Sequence, residues 1–348
     1  MTEKILTISI ASYNAEKYLD KCLSSLVHAK SLDKLEIFIV NDGSTDNTIN
    51  IAENYRCNYP GSIFVIDKEN GGHGSTINSS ISASTAKYFK IVDADDWVET
   101  DNLENLIGFL SNTECDIVLN PYYEVDASDE NKKVLKFPHD LDQNYENRCI
   151  KFNGFCKHIN LAMHSMTIKT EVVKKMGPVI DEHCFYVDLE YILLPLLYIN
   201  TVSILKYPIY DYLLGTSTQS MNIKNMQKRR DQHLKVIKRV TNFYETNSSI
   251  LLGSEIGNLI KKRILSAILL QYIIYLKMED KSIRDECISF DLWLKNTTSD
   301  LYDDFLIQNI KYGGVYLPVI KHLRKSNFSN YYFITKVIRF LDKIKNKG

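Results

Sequence analysis

Apolar runs alternate with amphipathic stretches through the first 120 residues. ILTISI, LEIFIV, SIFVI, YFKIV and DIVL are nearly continuous in hydrophobic residues, the pattern of strands covered on both faces in a parallel sheet. Between them, EKYLDKCLSSLVHA sets Leu19, Cys22, Leu23 and Leu26 at spacings of three and four, one apolar face of a helix. Asp42 and Gly43 read as a turn, and Ser44 or Thr45 as the cap of a second helix. ENGGHGSTIN is a glycine-rich turn opening a third helix, and TDNLENLIGFL predicts a fourth. The expected class is α/β, a mostly parallel sheet flanked by helices. From Asp126 to Tyr212 the pattern mixes a polar connection (ASDENKK), a strand in AMHSMTIK, a helix through VDLEYILLPLLYIN interrupted at Pro195, and a strand in VSILKYPIYDYLL. Beyond Met221 it turns mostly helical, which predicts one domain over 1–220 and a helical C-terminal region over 221–348.

The polar groups follow the strands. Ser12, Tyr13 and Asn14 come after the first, Asn41 and Asp42 after the second, Lys68 to Gly74 after the third, and Asp93, Asp95, Asp96 and Trp97 after the fourth. Ligands of open α/β sheets bind at the carboxyl ends of the strands, so these groups are expected to converge on one edge. Three carboxylates within four positions repel one another unless water screens them or a cation sits among the oxygens. Such a cluster suits Mg²⁺ or Mn²⁺, which prefer oxygen ligands. Read alone, D-x-D-D is equally a set of turn and cap residues. NGGHGSTIN fits neither the G-x-G-x-x-G spacing of dinucleotide folds nor the G-K-S/T ending of a P-loop, so as an isolated signal it is a tight turn.

The chain has 348 residues, 45% hydrophobic and 24% charged, ordinary globular composition with room for a large core. A net charge of -1 supplies no field for nucleic acid, and none is expected as a partner. Seven scattered cysteines without a C-x-x-C pair fit a reducing compartment better than a disulfide scaffold or zinc site. MTEKILTISI shows no signal-peptide pattern, and ILSAILLQYIIYL is shorter than the roughly 20 residues of a spanning helix, so a cytoplasmic protein is expected.

In order, ASYNAEKYLDKCLSSL, VNDGSTDNT, ENGGHGSTIN and IVDADDWV resemble the family 2 glycosyltransferases, an inverting family with the GT-A nucleotide-sugar-binding fold. The resemblance implies that Tyr13 lies beside the nucleotide base, that Asp42 accepts a hydrogen bond from uracil, and that Asp93 contacts the ribose side. It further implies that Asp95, with Asp93, holds Mn²⁺ or Mg²⁺ under the diphosphate, and that Asp96 assists at the donor–acceptor junction. The donor is expected to be a UDP-hexose or UDP-hexosamine, and the acceptor a glycan or lipid-linked hydroxyl of a bacterial surface polysaccharide. Where the family commonly has Glu-Asp before an apolar helix, this chain has FYVDLEYILL: Val187 replaces the first acid, and Asp188 keeps the second as the expected general base, with Glu190 as its competitor.

Gly72 and His73 are candidates for the donor side; Trp97, His164, Gln219 and Ser220 for the acceptor or a lid. Two other readings stay open: a sugar-phosphate nucleotidyltransferase, which would need an Arg-containing, Lys-ending loop where ASYNAEKY stands, and a non-catalytic glycan-binding or assembly subunit, for which Val187 is the foothold. Residues 316–348 carry eight Lys and Arg opposed by Asp342 alone, interleaved with Tyr331, Tyr332, Phe333, Val337 and Phe340. Such a helix suits peripheral contact with the inner face of an anionic membrane. Alternatively its apolar side packs on the helix through Glu255 to Met278, or forms a homodimer contact.

Overall fold

The computed structural model describes residues 3–140, 147–177, 179–216, 220–280, 282–304, 310–312 and 315–345. The chain divides into two compact units, residues 1–219 with 254–256 and residues 220–253 with 257–348. The first opens with β1 (Leu6–Ser12), α1 (Leu19–Val27), β2 (Leu35–Asp42), α2 (Thr48–Asn58), β3 (Ile63–Lys68), α3 (His73–Ala83) and β4 (Tyr88–Asp93). It continues through β5 (Trp97–Val98), α4 (Thr100–Asn112), β6 (Ile117–Leu119), β7 (Tyr122–Asp126), β8 (Asp129–Lys136) and β9 (Ile150–Lys151). Last come β10 (Met166–Lys169), α5 (Thr170–Met176), α6 (Asp188–Leu193), β11 (Thr201–Ile204) and β12 (Tyr210–Leu214).

The eight-stranded sheet runs β3-β2-β1-β4-β10-β6-β11-β9. β3, β2, β1 and β4 are parallel, as the continuous apolar runs predict, and every residue of β2 is buried. Beyond them the sheet is mixed, because β10 runs against both β4 and β6. CDIVLNPYY and VSILKYPIYDYLL, each expected as one strand, are in fact pairs. Pro121 separates β6 from β7, and Pro208 lies between β11 and β12. Proline cannot donate to a ladder, so each run leaves the large sheet there and resumes in a second sheet, β5-β12-β7-β8. ASDENKK, expected as a connection, instead enters β8, whose exposed residues are held by the ladder to β7 and by Lys136–Glu124 (2.9 Å) and Lys133–Asp211 (2.8 Å) ion pairs.

Cys115 and Cys149 form a disulfide, a correction to the expectation of seven unpaired thiols. Their Cα atoms are 5.7 Å apart although 34 residues separate them, and spacing alone carries no signal of such a pair. At the amino ends of the parallel strands, Glu36 is buried and accepts hydrogen bonds from Thr7 Oγ1 (2.6 Å), the Thr85 N–H (2.8 Å) and Thr85 Oγ1 (2.7 Å). One carboxylate thus clamps β1, β2 and the entry to β4.

The second unit holds α7 (Ile223–Lys228), α8 (Arg230–Thr246), α9 (Ser248–Leu251), α10 (Glu255–Leu276), α11 (Ile283–Thr297) and α12 (Ser299–Asp304). A hairpin, β13 (Ile310–Tyr312) and β14 (Val315–Leu317), interrupts the expected helical tail before α13 (Val319–Lys325) and α14 (Tyr331–Lys345). Its core carries a buried ion pair, Arg324 Nε to Asp291 at 2.7 Å, with the Tyr272 hydroxyl donating to the same carboxylate. Tyr331 and Ile338 of α14 are buried, and the Tyr331 hydroxyl donates to the Tyr275 carbonyl at 3.0 Å, so one side of the tail packs on α10. Among the described residues no helix is long and apolar enough to cross a membrane.

Replacing Glu36 with Ala leaves two buried donors, the Thr7 hydroxyl and the Ala86 N–H, without their acceptor, while the exposed Thr85 turns to water. Urea denaturation should show a loss of roughly 2–4 kcal/mol, with ligand binding at the opposite ends of the strands unchanged once folded; a loss under 1 kcal/mol would mean the donors find other partners.

Candidate active site

The loops at the carboxyl ends of β1 and β2 are stapled together before any ligand arrives. Asn14 takes a left-handed φ of 50°, its N–H donates to Ser44 Oγ (3.0 Å), and its Oδ1 accepts from the Thr45 N–H (2.9 Å). Tyr13 is left 56% exposed at this edge, a flat ring open to a partner. Asp42 is buried and organises the glycine turn. Its Oδ1 accepts from Lys68 Nζ (2.9 Å), the Gly71 N–H (2.9 Å) and Ser75 Oγ (3.3 Å), and its Oδ2 from the Gly72 N–H (2.8 Å). Gly72 has φ 80°, so a side chain there would be strained.

That turn receives the segment leading to α6. A Cβ on Gly74 would lie 2.0 Å from the Asp181 carbonyl oxygen, and one on Gly72 would lie 3.3 Å from His183. The His183 N–H donates to the Gly71 carbonyl, and Asn78 Nδ2 donates to the Ile180 carbonyl at 2.9 Å. Five residues beyond His183, the exposed Asp188 opens α6. Glu190, the competing base, is fully buried, and its Oε2 accepts the Asp181 N–H at 2.9 Å. It holds the segment in place.

After β4 the acids separate into different environments. Asp93 faces His73 at 3.4 Å. Burial opposes charge on both, yet the contact wins: the Asp93 pKa is lowered and the His73 pKa raised, with Asp188 and Asp95 adding to the latter. Asp95 lacks such relief. Burial first, then Asp93, push its carboxyl up to about 6. Asp96 is buried at the junction with the second sheet, where Tyr210 and the Leu213 N–H (2.8 Å) donate to its two oxygens. Burial, then Asp95 and Asp93, still push its pKa well up.

Beneath the acids lies a group the sequence reading passed over. Lys90, central in β4, is fully buried and donates to the carbonyls of His164 (2.8 Å) and Met166 (3.3 Å). Burial lowers its pKa to about 7. A lysine inside YFKIV, a run covered on both faces, was the available signal. His164 stacks on Tyr212 at 4.1 Å between centroids and meets Tyr210 edge-on at 4.8 Å. Burial first, with Lys90 adding, lowers its pKa to about 4, so the imidazole is neutral near pH 7. Its Nδ1 is buried without a hydrogen-bond partner, and ligand atoms of Asp93, Asp96 and His164 lie within 4.8 Å of one another. These oxygen and imidazole donors fit a divalent cation. Trp97 has Lys21 Nζ 3.1 Å from its indole centroid, so one face is already covered. Gln219 lies outside the described residues, and Ser220 begins the second unit.

A family model described as glycosyl transferase family 2 matches residues 7–176, which includes both staples, the glycine turn and the acids. Residues 7–176 belong to glycosyltransferase family 2. Among its relatives, glycosyltransferase GlyA of Streptococcus pneumoniae is 33% identical over 36% of this chain and 18% of that protein. Glycosyltransferase GlyG of the same organism is 32% identical over 37% of this chain and 42% of its own length. The matched stretch therefore spans less than half of either relative. In fold, the S. aureus TarS 1-349 structure is similar at a TM-score of 0.64 and 17% identity, over 96% of this chain and 91% of that one. That likeness carries the GT-A architecture, a sheet flanked by helices and followed by a helical region.

The sign of the Asp95 shift sets a test. A carboxyl whose pKa is raised from 3.8 to about 6 prefers to be neutral in the fold. Its cost is absent below about pH 4, grows as pH rises toward 6 and is complete above it. Asp95→Asn should therefore exceed the parent in stability by about 1–3 kcal/mol at pH 7.5, with the difference vanishing near pH 4. Mn²⁺ should raise the melting temperature of the parent and leave that of the variant unmoved. A variant less stable than the parent at pH 7.5 would show that the fold already compensates this charge.

Proposed function

We propose that the chain is an inverting transferase that moves a hexose or hexosamine from a UDP-sugar to a hydroxyl of a glycan or lipid-linked acceptor in bacterial surface-polysaccharide assembly. The observation that carries this reading is the packing of the Ile180–Cys184 segment onto the Gly71–Gly74 turn, which delivers Asp188 to the edge where Tyr13, Asp42 and the Asp93–Asp96 cluster lie. Tyr13 offers its exposed ring to the base. Asp42 acts mainly by holding the turn, with the remaining capacity of Oδ2 for an imide N–H. Asp93 takes the ribose side, and Asp95 with Asp93 holds the cation; Asp96 and His164 border them on the second-sheet side.

A divalent cation bound there would offset negative charge on the departing diphosphate. Asp188 accepts the proton of the acceptor hydroxyl as that oxygen attacks the anomeric carbon from the face opposite the diphosphate. The bond from that carbon to the phosphate oxygen breaks as the new glycosidic bond forms, nucleoside diphosphate leaves with the electron pair, and the anomeric configuration inverts. His73, at the start of α3, faces Asp93 as an ion-pair partner, which favours that carboxylate's ionised form.

The like-folded S. aureus TarS was solved in complex with UDP-GlcNAc, which makes UDP-sugars the first donors to try. Incubated with a UDP-sugar panel, Mn²⁺ and candidate acceptors, the full chain should release UDP. Asp188→Asn should lower transfer about 100-fold or more while nucleotide affinity stays within twofold; equal losses of both would make Asp188 a binding or folding residue. Asp95→Ala with full activity would remove the metal role. Transfer only from GDP- or dTDP-sugars would overturn the donor and spare the reaction class.

A further inference from the structure

α14 has two apolar faces, and only one of them is used by the fold. Tyr331, Thr335 and Ile338 are 1–3% exposed, a buried stripe at helical spacing. Phe333, Val337 and Phe340 repeat the same i, i+4, i+7 spacing and are 70%, 39% and 64% exposed. At 100° per residue the two stripes point roughly 160° apart. Tyr332, 44% exposed, and the exposed Lys336 flank the outer stripe on one side. Exposed phenyl rings in a row cost free energy in water and mark a surface that another phase or partner covers.

Charge decides what covers it. Asp342 is the sole acid in residues 316–348. Of the basic residues in this stretch, Arg324 is spent on Asp291 and Arg339 on Glu279. Lys321, Lys325 and Lys336 are exposed. A two-fold contact between copies centred on Val337 would bring both Lys336 ammonium groups together, with no carboxylate in the stripe to receive them. An anionic lipid surface meets both needs: acyl chains for the phenyl rings and headgroup phosphates for the lysines.

We propose that the Phe333–Val337–Phe340 stripe seats α14 in the headgroup boundary of an anionic bilayer, as an in-plane rather than a spanning helix. The buried face stays on its own unit, so docking needs no unfolding of the tail.

The full chain should float with phosphatidylcholine vesicles containing one part in four phosphatidylglycerol, should float far less with phosphatidylcholine alone, and should be released by about 0.5 M NaCl. The double variant Phe333→Ser, Phe340→Ser should partition at least tenfold more weakly at an unchanged melting temperature, since both side chains are outside the core. Lys336→Glu should weaken binding severalfold on the anionic vesicles only. A Phe333→Trp variant should blue-shift its emission when the anionic vesicles are added. Vesicle binding that survives the double serine change, binding that ignores lipid charge, or no binding at all overturns the proposal. Sedimentation velocity showing a dimer that the double variant dissociates, without vesicle binding, assigns the stripe to a second copy. None of these readouts uses turnover, so their failure leaves the proposed reaction untouched.

Discussion

The site depends on one close approach. At Gly74 the backbone of α3 comes so near the Asp181 carbonyl that a single methyl would sit 2.0 Å from it. No side-chain rearrangement relieves that, because the obstacle is backbone. The contact fixes the glycine turn from one side while Asp42 fixes it from the other through the N–H groups of Gly71 and Gly72. Asn78 and Glu190 complete the lock by bonding the Ile180 carbonyl and the Asp181 N–H. The glycine turn and the segment leading to α6, more than 100 residues apart in sequence, are therefore held together by backbone contact; on the proposed reading that pre-orders the two sides of the site.

The second sheet supplies the other wall. β12 crosses from the large sheet after Pro208, and Tyr210 then reaches back to accept the Asp93 N–H at 3.0 Å while donating to Asp96. Its neighbour Asp211 faces the opposite way and is neutralised by Lys133 from β8. The strand thus holds the acid loop with a hydroxyl, not with a cation. Lys133 also pairs with Glu99 at 2.7 Å, which keeps its charge at the far side of β12. Asp95 draws its charge relief from His73, at the start of α3.

How much of this was legible follows from the range of each interaction. The four parallel strands could be read because a strand buried on both faces writes itself as an apolar run, and parallel order sends every following loop to one edge. Tyr13, Asp42 and the acids were visible on that ground. Tyr210 was not, because its bond to Asp93 spans 117 positions and leaves no periodicity. Lys90 was hidden inside a run classified by its neighbours, and β8 by an exposed, charged edge that looks like a loop. The glycine run was legible as a tight turn; that Gly74 uses its missing Cβ for contact with the Asp181 backbone was not.

The three carboxylates of this loop sit in three different environments. Asp96 has both oxygens engaged and lies in the interior, so it can contribute to a cation only by giving up or sharing the Tyr210 and Leu213 donors. Asp93 already has a counter-charge in His73. Asp95 is raised by burial and by Asp93, and the charge of His73, held chiefly by Asp93, offsets this only in part. On the proposed reading, a cation drawn to Asp95 would ionise it and release a proton, so affinity would strengthen as pH rises through about 6. Asp93 would then be contested between metal and His73, and the histidine, losing the carboxylate that raises its pKa against burial, would hold its proton less firmly. Binding the donor complex would thus exchange partners around a fixed carboxylate frame, with the backbone held still by Gly74.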